Sequence, residues 1–339
     1  MIWFAWRQQR LALLALGGYA LVVVAVMVHH RFTMPGRFGD EELRACFASL
    51  ASSCGITEDG WNASSAIRET AAGLRFGVLG FVALAAVFAG APSLSREWEQ
   101  HTHLLALSQS VSPRRWFAAK VGVVAVPAVV LAALLGATYA WWTSGLGALI
   151  GAQQRLQTGR FEAQPLVMAS YALFAVVLGV VVGLVVRRVV PAMAVTLVGW
   201  LGALYAVRWY VRPHYATPVV ERLGNGVADG RWTLLTGFLD RSGGFVEQAV
   251  VDGPLRACAQ GAGNRFESCL AEQGLVGRAV LAHPADRFWL FQGVEAGLFA
   301  ALAGVLLLGA FRWLHHRYRQ PISHRPPSRG PLSRQPVPR

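Results

Sequence analysis

Few side chains in this sequence could do chemistry, and their spacing excludes most reactions. Lys120 is the single lysine. A P-loop needs G-x-x-x-x-G-K-[ST], so that the lysine reaches the β- and γ-phosphates and the hydroxyl holds magnesium. Lys120 stands between Ala119 and Val121, so the chain has no such loop, and any ATP it depends on is hydrolysed by another subunit. There is no H-E-x-x-H, no C-x-x-C and no G-x-S-x-G, which removes the zinc-hydrolase, dithiol and serine-nucleophile classes. His101 and His103 are two apart on a predicted helix, where their side chains diverge and make a poor metal pair. His29-His30 and His315-His316 read as side chains at a membrane edge. No catalytic set, metal or cofactor is expected, and the chain is not predicted to be an enzyme.

One carboxylate stands out. Glu295 lies inside an otherwise apolar run, about seven residues or roughly 10 Å from its start, with Gln292 three residues earlier on the same helical face. An ionised group at that depth is costly and should face the bundle interior, a water-filled path or a charged partner. Arg75 and Arg208, both at span ends, are candidate partners by depth. Two readings stay open: a polar point on a substrate route, or a structural ion pair near the interface.

The elements that must position these residues are membrane spans. Hydrophobic residues make up 54% and charged residues 14%, where a soluble domain carries about a quarter charged; mean hydropathy is +0.42. Six segments meet the requirement of roughly 20 mostly apolar residues per crossing: 11–28, 76–92, 121–142, 165–186, 189–207 and 288–311. The predicted fold class is therefore an all-α integral membrane protein with six transmembrane helices and two long extracytoplasmic loops, 29–74 and 208–287. Residues 1–10 alternate aromatic and basic side chains and read as an interfacial segment or as an extension of the first helix. The first span is not expected to be a cleavable signal, because no small-residue cleavage pattern follows it. Residues 312–339, rich in Pro, Ser and Arg, read as a disordered basic tail held near anionic headgroups.

The net charge of +13 would suggest nucleic acid in a soluble protein. Here it reports orientation. With both termini cytoplasmic, the short inner segments are dense in arginine, as the positive-inside rule expects, and the outer side is neutral. The predicted location is the cell membrane, multi-pass, with no nucleic-acid partner. Cys46 and Cys54 then fall in the first outer loop and Cys258 and Cys269 in the second, on the side where disulfides persist. Four cysteines allow three connectivities, and proximity favours one bridge within each loop. Asn62-Ala63-Ser64 fits a glycosylation sequon, relevant only in a glycosylating pathway.

The segment 93–120 between the second and third spans carries the only two acids of the inner face, Glu97 and Glu99. Pro92 should close the second span, and Ser95 can cap a short helix from Arg96 to about Leu107. Trp98, Thr102 and Leu105 share a face of that helix. Ser112-Pro113 restarts a helix, leaving Arg114, Arg115 and Trp116 at the membrane surface. Such a helix, pinned between two spans, is an element through which a cytoplasmic partner can push on the bundle.

The same residues carry a resemblance. Gly90-Ala91-Pro92, Arg96-Glu97-Trp98-Glu99, Thr102, Leu105-Ala106, Gln109-Ser110-Val111, Arg115-Trp116 and Lys120 resemble a signature of actinobacterial ABC transporter permeases of the type-2 exporter class. Arg287-Phe288-Trp289, Gln292 and Glu295 resemble a second signature of that group. His101, Leu107 and Pro113 depart from the pattern, where Gly, Trp and Arg are expected. The resemblance implies a permease that binds a separate ABC ATPase subunit and a second permease copy, with Arg96, Glu97, Glu99, Thr102, Leu105, Gln109, Ser110, Arg115 and Trp116 coupling it to the ATPase. The expected function is the transmembrane half of an ATP-driven exporter. The rival is a polytopic sensor or assembly factor that binds partners through its outer loops.

Overall fold

A computed structural model describes residues 2–37, 58–100, 112–144, 155–223, 230–261 and 266–319. Within hydrocarbon every backbone amide and carbonyl must be bonded inside its own segment, and only helices and closed barrels achieve this. The apolar runs accordingly form helices. These are α1 (Ile2–Arg37), α2 (Glu58–Leu84), α3 (Pro92–Glu99), α4 (Pro113–Ser144), α5 (Pro165–Val186), α6 (Val189–Ala206) and, after the second long loop, a long C-terminal helix. Among the described residues, six helices are long and apolar enough to cross a membrane. The chain is thus a helical membrane protein, with both described ends at one face of the bundle, here the terminal end; the other is the loop end.

α1 runs unbroken from Ile2, so residues 2–10 continue the first span. Pro92 does not close the second. A π turn, Ala85–Gly90, follows α2, and the Ala91 amide reaches back to the Ala86 carbonyl at 2.9 Å. That wider turn carries the helix to Pro92, which sits in the first turn of α3, where a missing amide is tolerated. Ser95 is therefore not a cap: it lies inside α3 and donates to the Ala91 carbonyl at 2.9 Å.

α5 is the central helix. Of its most apolar stretch 61% is buried, against 39% or less in any other span. Its face toward the π turn is a stripe of small residues, which lets two backbones touch. A Cβ on Gly179 would lie 2.6 Å from the Ala86 carbonyl oxygen, and one on Gly183 would lie 2.4 Å from the Ala91 oxygen. Gly183→Val is therefore expected to destabilise the fold by about 1–3 kcal/mol through overpacking. Gly122→Ala, whose Cβ meets nothing within 4 Å, should leave thermal stability in detergent unchanged. Equal melting of the two variants would refute the close contact.

The second long loop, which sequence reading left without a fold, forms an antiparallel sheet. Its strands are β1 (Val219–Arg222), β2 (Trp232–Asp240), β3 (Phe245–Glu247) and β4 (Leu275–His283), in the order β1-β4-β2-β3. α7 (Asp252–Gly261) and α8 (Phe266–Glu272) cover it, and α9 (Phe288–Arg319) is the sixth span. Phe238, Val251, Cys258, Leu270 and Leu275 make a core separate from that of the bundle. The Cα atoms of Cys258 and Cys269 stand 5.7 Å apart, within disulfide reach. Cys46 and Cys54 lie outside the described residues. His283, buried at the end of β4, ties the sheet to the bundle: its Nε2 lies 3.1 Å from the Pro213 carbonyl and its ring 4.9 Å from that of Phe291. Burial holds His283 below the usual histidine range.

Candidate functional site

At the loop end, Glu295 and Gln292 are both buried, at 0% and 1% exposure. Glu295 does have a charged partner, but neither of the expected ones. The partner is Arg212, fully buried, which grips it side-on: Nε donates to Oε2 at 2.8 Å and Nη2 to Oε1 at 2.6 Å. The planar guanidinium matches a carboxylate in this bidentate geometry. Arg208 instead stands 3.9 Å from Glu162, and Arg75 packs over the Phe76 ring and against Gly159. Depth alone could not separate these arginines. A second π turn, Val207–Val211, extends α6 past the end of its apolar run and delivers Arg212 into the core.

The third arm of the guanidinium engages a second carboxylate. Arg212 Nη1 donates to Glu162 Oε1 at 2.6 Å, and the ring of Phe161 lies 4.5 Å below its Cζ. Glu162 is held in turn by the Gly159 amide; Gly159 has φ +85°, and a side chain there would collide with that of Arg75. Tyr171 donates to Glu295 Oε1, and Tyr215 donates to Oε2 at 3.2 Å. Burial pushes the Tyr215 hydroxyl up, and the Glu295 charge adds to this, so Tyr215 remains a donor. Two carboxylates thus face Arg212, and Arg208 beside Glu162 completes a neutral set. Below the cluster the rings of Tyr171, Phe174, Trp200 and Phe299 pack edge to face or tilted at 4.6–6.3 Å.

At the terminal end, α3 is fastened directly to α4, to α6 and to the turn before α6, and through Lys120 to α1. Glu97 accepts from Lys120 of α4 at 2.5 Å, and Lys120 also donates to Gln8 of α1. Glu97 and Lys120 are 5% and 2% exposed. Glu99 accepts the Val189 amide at 3.2 Å, so it caps α6 from another segment of the chain, where a negative charge favours a helix N-terminus. Arg187, between α5 and α6, takes φ 59° and lays its guanidinium 4.6 Å over the Trp98 ring. Arg96 and Arg115 are exposed, whereas Trp116 is buried. α3 starts at Pro92 and ends at Glu99 with Gln100 as its cap; Thr102, Leu105, Gln109 and Ser110, with the rest of the predicted helix beyond Gln100, lie outside the described residues.

The two polar clusters thus contain Glu97, Glu99, Gln292 and Glu295, which the sequence singles out, and also Arg212, Glu162, Tyr171 and Tyr215, which it does not. Lys120 entered only through the missing P-loop and the resemblance, although a lone lysine in an arginine-rich chain is itself a signal. Lysine brings one compact charge on a flexible stem, suited to a narrow buried gap.

Six apolar helices, small-residue backbone contacts and two polar clusters tying spans together define a multi-pass helical membrane protein. The model of the family described as ABC-2 membrane transporter related matches residues 17–212. That is more than half of the chain, which belongs to this family of ABC-2 type permeases. The match takes in Glu97, Lys120, Glu162, Tyr171 and Arg212, and stops short of Tyr215, Gln292 and Glu295. No curated protein and no solved structure matches the chain.

Proposed function

We propose that this chain is the transmembrane subunit of an ATP-driven exporter in the cell membrane, with ATP hydrolysed by a separate subunit. The observation that carries the reading is the fastening of α3 to α4, α5 and α6 through Lys120, Gly183 and the Val189 amide, with Lys120 linked on to Gln8 of α1. A push on the exposed Arg96 face of α3 would reach three spans directly and α1 through Lys120, the mechanical requirement of a coupling element. Arg115, Trp116 and the undescribed Thr102, Leu105, Gln109 and Ser110 belong to the same docking region in this proposal. The terminal end is then cytoplasmic, in keeping with its arginines. The sheet faces outward, and Cys258 and Cys269 are bridged there.

Glu295 is assigned a structural role rather than a place on the substrate route. All its acceptor capacity is used by Arg212, Tyr171 and Tyr215, which leaves no free acceptor for a passing substrate. The route therefore lies between this chain and a second permease copy, identical or not. The folded sheet is the one observation that favours the rival reading, a sensor or assembly factor binding through its outer segment.

Affinity purification in mild detergent tests the proposal. A P-loop ATPase should co-elute, Arg96→Glu should release it, and Glu295→Gln should not. A stable complex without any ATPase subunit, or transport indifferent to ATP depletion, would sink the exporter reading.

A further inference from the structure

The sheet meets the bundle at a joint centred on His283, the last residue of β4. The side chain is buried. Its ring forms a triangle with those of Trp232, at the start of β2, and Phe291, in α9; the rings lie 5.6 and 4.9 Å from it and 6.3 Å from each other. The two ring nitrogens face opposite kinds of partner. Nε2 lies 3.1 Å from the Pro213 carbonyl, in the turn that follows α6. A carbonyl can only accept, so Nε2 carries the proton. Nδ1 lies 3.5 Å from Arg287 Nη1, and a guanidinium can only donate, so Nδ1 is bare. The joint thus selects one neutral tautomer of the imidazole.

Arg287 Nη1 also donates to the Thr217 carbonyl, just before β1. One guanidinium therefore holds the start of β1 and the end of β4 together. A second proton on the imidazole has to go on Nδ1, where it meets that guanidinium donor to donor and charge to charge. Among the described residues no carboxylate is placed to neutralise it. Glu221 of β1 is paired with Arg231 at 2.9 Å, and Asp286 beside Arg287 is exposed. Glu295, one turn beyond Phe291, is taken up by Arg212, the neighbour of Pro213. Tyr215, whose ring packs on Phe291, donates to Glu295, and His214 turns to the Tyr210 carbonyl. Burial above all, and then the Arg287 charge, hold His283 below its ordinary value of 6.5, while the Pro213 carbonyl pulls the other way.

We propose that this joint is a clamp released by acid: the sheet stays docked on the bundle while His283 is neutral, and lets go, starting at Arg287 and β1, when Nδ1 takes a proton. The docked state favours the neutral imidazole, so docking is at full strength above 6.5, the ordinary histidine value, and is lost as the pH falls through the depressed one. Release also reaches the bundle. Pro213 follows Arg212, which holds Glu162 and Glu295, so the turn that seats this ion cluster loses its outer support. The clamp rests on the exporter reading only for the side of the membrane on which the acid acts.

Amide hydrogen exchange of the purified full chain in detergent, without any ATPase, tests the clamp apart from the exporter reading. Rates are corrected for the intrinsic effect of pH and read on peptides covering β1, β4 and, as a control, α5. From about pH 7.5 to about pH 5, a span that brackets histidine titration, exchange in β1 and β4 should rise several-fold while α5 stays protected. His283→Gln keeps a donor for the Pro213 carbonyl but has no proton to gain, so its exchange should stay flat. Arg287→Gln, at a half-buried position outside the ring triangle, removes the opposing charge and should shrink the acid response; it decides the matter where His283→Gln does not fold. A parent chain equally protected at both pH values would overturn the clamp. So would a full acid response in folded His283→Gln or in Arg287→Gln, which would assign the effect to carboxylates elsewhere, or a rise in α5 equal to that in β1, which would mark global unfolding.

Discussion

Arg212→Met is expected to be among the most damaging single substitutions in this protein, at about 3–5 kcal/mol, the usual cost of removing one partner from a buried ion pair. The reason is what remains. Glu162 and Glu295 would face each other's neighbourhood at 1% and 0% exposure, having lost three charge-assisted hydrogen bonds between them. Arg208 could not replace them, since it already stands 3.9 Å from Glu162 and is partly exposed. Arg212→Lys should be intermediate, because one ammonium cannot present the fork that meets both Glu295 oxygens. The triple variant Arg212→Met, Glu162→Gln, Glu295→Gln removes all three charges and should recover much of the loss. The measurement is the midpoint for loss of monodisperse protein in a detergent heating series. A midpoint for Arg212→Met equal to that of the parent chain would show that the cluster does not hold the spans together.

The same cluster shows why the site was only half legible in the sequence. Glu295 was conspicuous because a charge inside an apolar run breaks a one-dimensional pattern. Arg212 was not, because it follows the run rather than interrupting it; only the π turn at Val207–Val211 brings it inward, and nothing in the residue types announces that turn. Glu162 sits in a polar stretch where an acid is unremarkable, and its burial depends on a fold-back at Gly159. The spans themselves were legible since solvent, not packing, dictates them. The sheet was not: in β2 and β4 the buried residues come in runs, Gly237 to Leu239 and Ala279 to Val280, which blurs the alternation of a half-buried strand. At the terminal end, counting charges singled out Glu97 and Glu99, while the partner of each was out of reach because a backbone amide 90 residues away and a lysine on the next span are tertiary facts.

The Glu97–Lys120 pair supplies the second large effect and, with it, a way to separate holding from coupling. Lys120→Met leaves a buried carboxylate, and Glu97→Leu leaves a buried ammonium. Each single change should cost about 3 kcal/mol or more, read as an earlier melting midpoint of the purified permease. Gln8 is neutral and supplies no counter-charge in either variant, although its carbonyl oxygen accepts from Lys120. The double variant Glu97→Leu, Lys120→Met replaces the pair by apolar side chains of similar length and should regain most of the stability, as buried pairs often do. Its activity in the complex with an ATPase subunit is then the informative quantity. If α3 transmits force through this pair, the double variant should be stable yet hydrolyse ATP with little transport, because the ionic link between α3 and α4 is the stiff part of the lever. Removing only the cap, by Glu99→Gln, should weaken stability far less, since that contact lies at an exposed edge and involves a single 3.2 Å bond. A double variant that recovers both stability and full coupled transport would confine the pair to a structural role and move the coupling to the exposed face around Arg96.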